Sequence, residues 1–112
     1  MVIESKLICR ILGVNGICLW PFIFVDNKKD ATLLNHENIH LQQEKELFVI
    51  PFYILYIYYY IRNIIELNHI SDWRARKYIA YKAIPFERES YANERDSNYI
   101  RRRNRMGWKK YV

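Results

Sequence analysis

"ATLLNHENIHLQQEKE", residues 31–46, is the stretch on which the reading of this chain turns. It follows Asp30, which like Thr32 can cap a helix, and it ends in strong helix formers, so it predicts one helix from about Ala31 to Glu46. Inside it stands His36-Glu37-x-x-His40. At 3.6 residues per turn the two histidines project from one face, and imidazoles so placed can converge on one ion at about 2.0–2.1 Å. Glu37 sits beside the first ligand, where it can take a proton from a water the ion activates. The plainer alternative is two surface histidines that share a face.

The deciding residue is a third ligand. Catalytic zinc keeps three protein ligands and one open position, so a carboxylate is expected on a second helix packed against the first. "PFERESYANERD", residues 85–96, offers Glu87, Glu89 and Glu94. Pro85 suits a first helical turn, and Glu87 and Glu89 suit the positive end of the macrodipole. Glu89 is the preferred ligand, because Asn93 lies four residues on, on the same face, and can accept a hydrogen bond from the outer nitrogen of an imidazole. Aligning "FERE" half a turn earlier selects Glu87 instead. Gln43 shares the face of His36, either lining the site or simply packed.

"HENIH", followed about fifty residues later by "ESYAN", resembles the gluzincin zinc metallopeptidases, whose pattern is HExxH and then a helix with Glu-x-x-x-Asp. Size and motif order are similar to the minimal single-domain members, the minigluzincins, and to the peptidase domains of membrane-linked families with HExxH and ExxAD. The resemblance rests on two short motifs and their order. It implies a zincin-like core, Zn2+ as cofactor, a peptide or protein substrate, His36, His40 and Glu89 as metal ligands, and Glu37 as general base. Asn93 stands where the family has Asp; it can accept a hydrogen bond but, uncharged, polarises an imidazole less. An oxyanion stabiliser is also required, and Tyr91, Tyr99 and His69 are candidate donors. His69 reads equally as a helix-end residue facing the dipole.

The rest of the chain sets the frame. At 112 residues it holds one compact domain, 1–112, and 51% hydrophobic residues with only 3 Gly and 3 Pro exclude disorder and a turn-dense all-β protein. From Leu7 to Val25 the apolar residues read as two strands around "GVNG", with Asn15-Gly16 supplying the positive φ angles. Phe22–Val25 reads as a core strand or as an edge strand on which an extended peptide can lie. Further helices are expected from near Pro51 to Leu67, over "DWRARKYIAYKAI" behind a Ser71 cap, and from Pro85 through Arg102. The fold class is α+β, an N-terminal β-hairpin followed by three or four helices.

Partners follow from charge and hydropathy. "LFVIPFYILYIYYYI", residues 47–61, is uncharged but shorter than the roughly 20 residues of a spanning helix, and it holds Pro51 and many tyrosines, which favours a buried or membrane-surface helix. No signal peptide is legible, since Glu4, Lys6 and Arg10 interrupt the first apolar run, so a cytoplasmic, membrane-associated location is the expectation. The formal charge of +6 gathers in the segment 101–112, where Arg101, Arg102, Arg103, Arg105, Lys109 and Lys110 read first as a solvated terminus and second as a contact for phosphates or anionic lipid. No nucleic-acid reading motif accompanies them. Cys9 and Cys18 read as buried free thiols rather than a disulfide. Against the enzyme stands a non-catalytic or latent zinc-binding protein, acting as an interaction module at a membrane surface or acidic partner. A closed structural zinc site needs a fourth protein ligand, and beyond His36 and His40 only His69 remains.

Overall fold

A computed structural model describes residues 1–112. Its first 25 residues hold a three-stranded sheet of β1 (Val2–Glu4), β2 (Gly16–Leu19) and β3 (Phe22–Val25), in the order β1-β3-β2, with α1 (Lys6–Leu12) crossing between the first two strands. β1 runs parallel to β3, and β2 antiparallel to it, with Ile17 opposite Phe24 and Leu19 opposite Phe22. The class is α+β and the hairpin exists, but it lies later in the chain than Leu7–Val25 suggested. Ser5 caps α1 by accepting from the Ile8 N–H, and Gly13 closes it at φ 69°. These local caps turn the apolar run Leu7–Leu12 into a helix. Asn15-Gly16 therefore leads into β2 instead of making the turn, and the hairpin reverses at Trp20-Pro21, a cis peptide. Phe22–Val25 is the central strand, as the core-strand reading has it and not the edge-strand alternative; β1 and β2 are the edges.

The helices are α2 (Ala31–Glu46), α3 (Ile50–Glu66), α4 (Trp73–Lys82), α5 (Pro85–Asn93) and α6 (Tyr99–Arg102), followed by a 3-10 turn over Gly107–Tyr111. Asp30 caps α2 through the Leu33 N–H, and Asp72, not Ser71, caps α4. The helix expected from Pro85 through Arg102 is broken after Asn93. There the Asn35 amide donates to the backbone carbonyls of Asn93, Glu94 and Asp96, holding them out of a helical ladder.

Two apolar clusters hold these pieces. Ile23, Val25 and Cys18 pack under Leu33, Leu34 and Leu41 of α2. Phe52, Ile84, Phe86 and Trp108 form the second, ringed by Leu47, Tyr53, Tyr56 and Tyr59. Between α2 and α3 the axes turn by 113°. Val49 makes that turn at φ 66°, ψ −70°, with the Ile50 N–H donating to the Phe48 carbonyl at 2.8 Å. This is the γ-turn that non-glycine residues rarely adopt. No helix is long and apolar enough to cross a membrane.

In the basic C-terminal segment Arg101, Arg102, Arg105, Lys109 and Lys110 are exposed, as a solvated terminus requires, but the segment itself is anchored. Arg103 is buried between Glu46 and Glu89, the Met106 N–H donates to Glu46, and Trp108 is 5% exposed in the core. Both cysteines are free and buried.

Candidate metal centre

α2 inverts the usual pattern of a core-facing helix. His36, Glu37, His40, Gln43 and Glu44 are all buried, with Ile39 the one fully buried aliphatic among them. Polar side chains at such positions are costly unless each finds a partner. Most do, and the partners define a site.

His36 Nε2, His40 Nε2 and Glu87 Oε1 form a triangle with sides of 3.2, 3.1 and 3.2 Å. Ligand atoms about 2.0–2.1 Å from one tetrahedral cation stand about 3.3–3.4 Å apart, so the triangle is close to one face of such a tetrahedron. The outer nitrogens explain the orientation. Gln43 uses its amide N–H groups on the Phe86 carbonyl and Glu89, which turns its carbonyl oxygen to His40 Nδ1 at 2.8 Å. Nδ1 must then be the donor, and the Nε2 lone pair points at a carboxylate oxygen and a second imidazole. With Glu87 ionised, a positive charge reconciles those three atoms: a second ring proton or a metal cation. Glu94 stands 3.7 Å from His36 Nδ1, too far for a direct hydrogen bond but near enough to favour an N–H there.

Glu87 is therefore the carboxylate that meets the histidines, and Glu89 is not. Glu89 lies fully buried on another side of α5, where it accepts from Gln43, Tyr99 and Arg103. A Cβ at Gly107 would come within 3.0 Å of its Oε2, so the C-terminal turn closes over it. Asn93 also misses the centre: its amide donates to the Glu89 carbonyl and the Tyr111 hydroxyl. The hydrogen-bond acceptor expected of Asn93 is Gln43. Among the candidate donors, Tyr99 is spent on Glu89 and His69 is exposed beyond the end of α3, while Tyr91 packs its ring edge-on against His36, centroids 4.5 Å apart.

The two carboxylates near the histidines differ in character. Burial alone would raise the Glu87 carboxyl, but the His40 charge and hydrogen bonds from His36, His40 and Tyr56 outweigh it and hold Glu87 well below the usual range. Tyr56 donates to Oε2 at 2.6 Å, while Oε1 faces the histidines and takes only a longer bond of 3.3 Å from Tyr81. For Glu37 burial dominates, pushing its carboxyl up despite the neighbouring histidines. Its Oε2 is buried with no hydrogen-bond partner, although Glu37 offers a carboxylate oxygen within 4.8 Å of both ring nitrogens. Glu87 thus suits an ionised ligand, Glu37 a proton acceptor.

A cleft of about 220 Å³ opens on the centre, walled by β2, Glu37, Phe52, Tyr56, Tyr81 and Glu87. β2 approaches α2 closely because position 16 is glycine; a Cβ there would meet Leu33 Cδ1 at 3.0 Å. Fully buried Glu44, one turn beyond His40, secures the strand by accepting from the Cys18 thiol, the Tyr53 hydroxyl and the Trp20 N–H. Sequence reasoning did not find Tyr56, Tyr81 or Glu44; among ten tyrosines nothing local distinguishes the two that reach Glu87. No protein-family model matches the chain, and neither do any curated protein or solved structure.

Proposed function

We propose that the chain is a zinc-dependent hydrolase of peptide bonds, with His36, His40 and Glu87 holding Zn2+ and Glu37 as general base. The triangle of His36 Nε2, His40 Nε2 and Glu87 Oε1 carries this reading, since its spacing and its need for a positive centre suit one cation with an open fourth direction. When bound, the ion would polarise a carbonyl and lower the pKa of a water toward about 7. Glu37 takes the proton of the attacking water on its unpartnered Oε2 and passes it to the leaving amine nitrogen. Burial and the Glu87 charge raise the Tyr81 hydroxyl well above its ordinary value, so it stays a donor at neutral pH. On this reading the Tyr81 hydroxyl, in the cleft wall 3.3 Å from Glu87 Oε1 and 3.0 Å from the Tyr91 hydroxyl, turns from them to donate to the developing oxyanion, the role for which Tyr91, Tyr99 and His69 are the sequence candidates. The edge strand β2 offers unpaired main-chain groups along the cleft to an extended peptide.

The gluzincin resemblance keeps its first motif and loses the alignment of its second. With Glu87 as ligand, the residue four positions on is Tyr91, not an acid or amide. The HExxH helix and a glutamate from a packed second helix support the reading; "ESYAN" does not.

The test is zinc stoichiometry of the purified wild type, Glu87→Gln and Glu89→Gln, with cleavage of a broad peptide library by wild type and Glu37→Gln. The expected result is one zinc per chain in the wild type and Glu89→Gln, loss of zinc in Glu87→Gln, and loss of cleavage with zinc retained in Glu37→Gln. Zinc retained in Glu87→Gln would overturn the ligand set. Zinc bound without any cleavage leaves a metal-holding protein and overturns the hydrolase.

A further inference from the structure

α3 exposes the side that a soluble helix normally makes polar. Ile50, Ile54, Ile57, Ile61 and Ile65 are 51–69% exposed, and Tyr58 joins them at 54%. At 100° per residue these six fall within one stripe about 100° wide and roughly 22 Å long. The opposite side is already used, with Phe52, Tyr56 and Tyr59 in the core. An aligned aliphatic stripe of this size marks an interaction surface rather than scattered exposure.

Its surroundings say what covers it. The only charges on α3 are Arg62 and Glu66 in its last turn, paired with each other, so the stripe from Ile50 through Ile61 has none, whereas a helix seam between two copies in water is ordinarily flanked by charged side chains along its length. α4, packed beside α3 through Asn63 and Arg76, has four cations and no acid; Arg76 is engaged on the Ile64 carbonyl and Lys82 lies on the Tyr91 ring, which leaves Arg74 and Lys77 exposed. Exposed Trp73 and Tyr78 accompany them, with the Lys77 ammonium 5.8 Å from the Trp73 ring. Aliphatic residues beside aromatic rings and long cationic chains match the depth profile of a bilayer surface: acyl chains, then the carbonyl layer, then anionic headgroups. The stripe is one-sided and short, which suits a helix lying in the interface plane.

The patch is continuous with the candidate metal centre. A groove joins Leu12 at the end of α1 to Ile57, Tyr60, Lys77 and Tyr78, and its remaining walls include Tyr56 and Tyr81, which also wall the cleft. Lys77 is the only charged residue that lines it.

We infer that the α3 stripe and the cationic α4 beside it dock the protein on an anionic membrane surface, with the cleft opening along that surface. The docking stands on its own; that the cleft then meets peptide segments emerging at the membrane rests on the proposed hydrolase.

The experiment is vesicle flotation of the full chain with phosphatidylcholine vesicles and with phosphatidylcholine–phosphatidylserine vesicles, for wild type, Ile54→Glu/Ile61→Glu, Lys77→Glu and Glu87→Gln. Thermal unfolding checks that each variant is folded, and light scattering gives its oligomeric state. Expected is capture of the wild type by the anionic vesicles, at least a tenfold loss in the double variant, and about a fivefold or greater loss in Lys77→Glu. Glu87→Gln floats like wild type, so failure of the metal reading leaves the docking result intact. Absence of capture by anionic vesicles overturns the inference, as does capture that the double variant leaves unchanged. So does a wild-type dimer that the same double substitution dissociates while no vesicle captures the chain.

Discussion

Two residues of helix rotate a side chain by about 200°, and that rotation separates Glu87 from Glu89. One faces the two imidazoles, the other a buried guanidinium. The charge on the histidine side has a pH consequence. For His40, burial would lower the pKa from 6.5, but the charge and hydrogen bond of Glu87, with help from Glu37 and Gln43, push it up to about 10. A raised folded-state value means that the proton's contribution to stability is complete below about pH 6.5 and is lost as pH rises toward about 10. The metal-free protein should therefore unfold at progressively lower temperature across that window. Zinc must displace this proton, so its affinity should rise over the same window. Melting curves at several pH values, with zinc and with chelator, check both signs; a metal-free melting temperature that climbs from pH 6.5 to 10 would contradict the assigned protonation. Gln43→Leu tests the orientation argument separately. Losing the acceptor for His40 Nδ1 should weaken zinc binding about 10–100-fold in chelator competition.

At the scale of the element, legibility followed how local the determinant is. The bounds of α2 were readable because Asp30 and a run of helix formers lie within it. Its inward face was readable at His36 and His40, because chemistry makes those residues conspicuous there. α1 reads as a strand from sequence because the short, largely apolar Leu7–Leu12, broken only by Arg10, has no decisive period, and the Ser5 and Gly13 caps that settle it lie at its ends. Pro51 marks a break after α2 in the sequence, but the sharpness of the bend leaves no mark: Phe48 and Val49 are ordinary residues holding positive φ angles of 59° and 66°. That bend aims α3 back across the cleft, and its strain is testable. Glycine alone adopts such angles without a penalty of roughly 1–2 kcal/mol. Val49→Gly should therefore be more stable than Val49→Ala by about 1 kcal/mol, the reverse of the usual order near a helix start. Chemical denaturation of the two variants decides it. If Ala is the more stable, the turn is not strained as described.

Across the whole molecule, the candidate site depends on residues far from it in sequence. Glu87 rides on α5, and α5 is held to α2 by Gln43 and by Arg103, which bridges Glu46 of α2 and Glu89 of α5 with its side chain 4% exposed. Burial would lower the Arg103 pKa, but the two carboxylates raise it, so the guanidinium stays charged. Sequence could not single out Arg103 among its neighbours, because Arg101, Arg102 and Arg105 look the same and only tertiary pairing distinguishes one. That pairing makes Arg103 a structural clamp, while Arg101, Arg102, Arg105, Lys109 and Lys110 stay exposed as expected of a solvated terminus. Arg103→Ala should leave Glu46 and Glu89 buried without their cation, a change that typically costs about 3–5 kcal/mol. Because α5 is what presents Glu87, the loss should extend to the metal centre, with weaker zinc binding in the variant although no ligand has changed. Arg101→Ala, at an exposed position in the same segment, should alter stability by less than about 0.5 kcal/mol. Arg103→Ala/Glu89→Gln/Glu46→Gln removes the stranded charges together with their cation and should recover part of the loss. Thermal unfolding and zinc titration of this set distinguish a clamp from a tail: equal behaviour of Arg101→Ala and Arg103→Ala would show that the segment does not hold α5 in place.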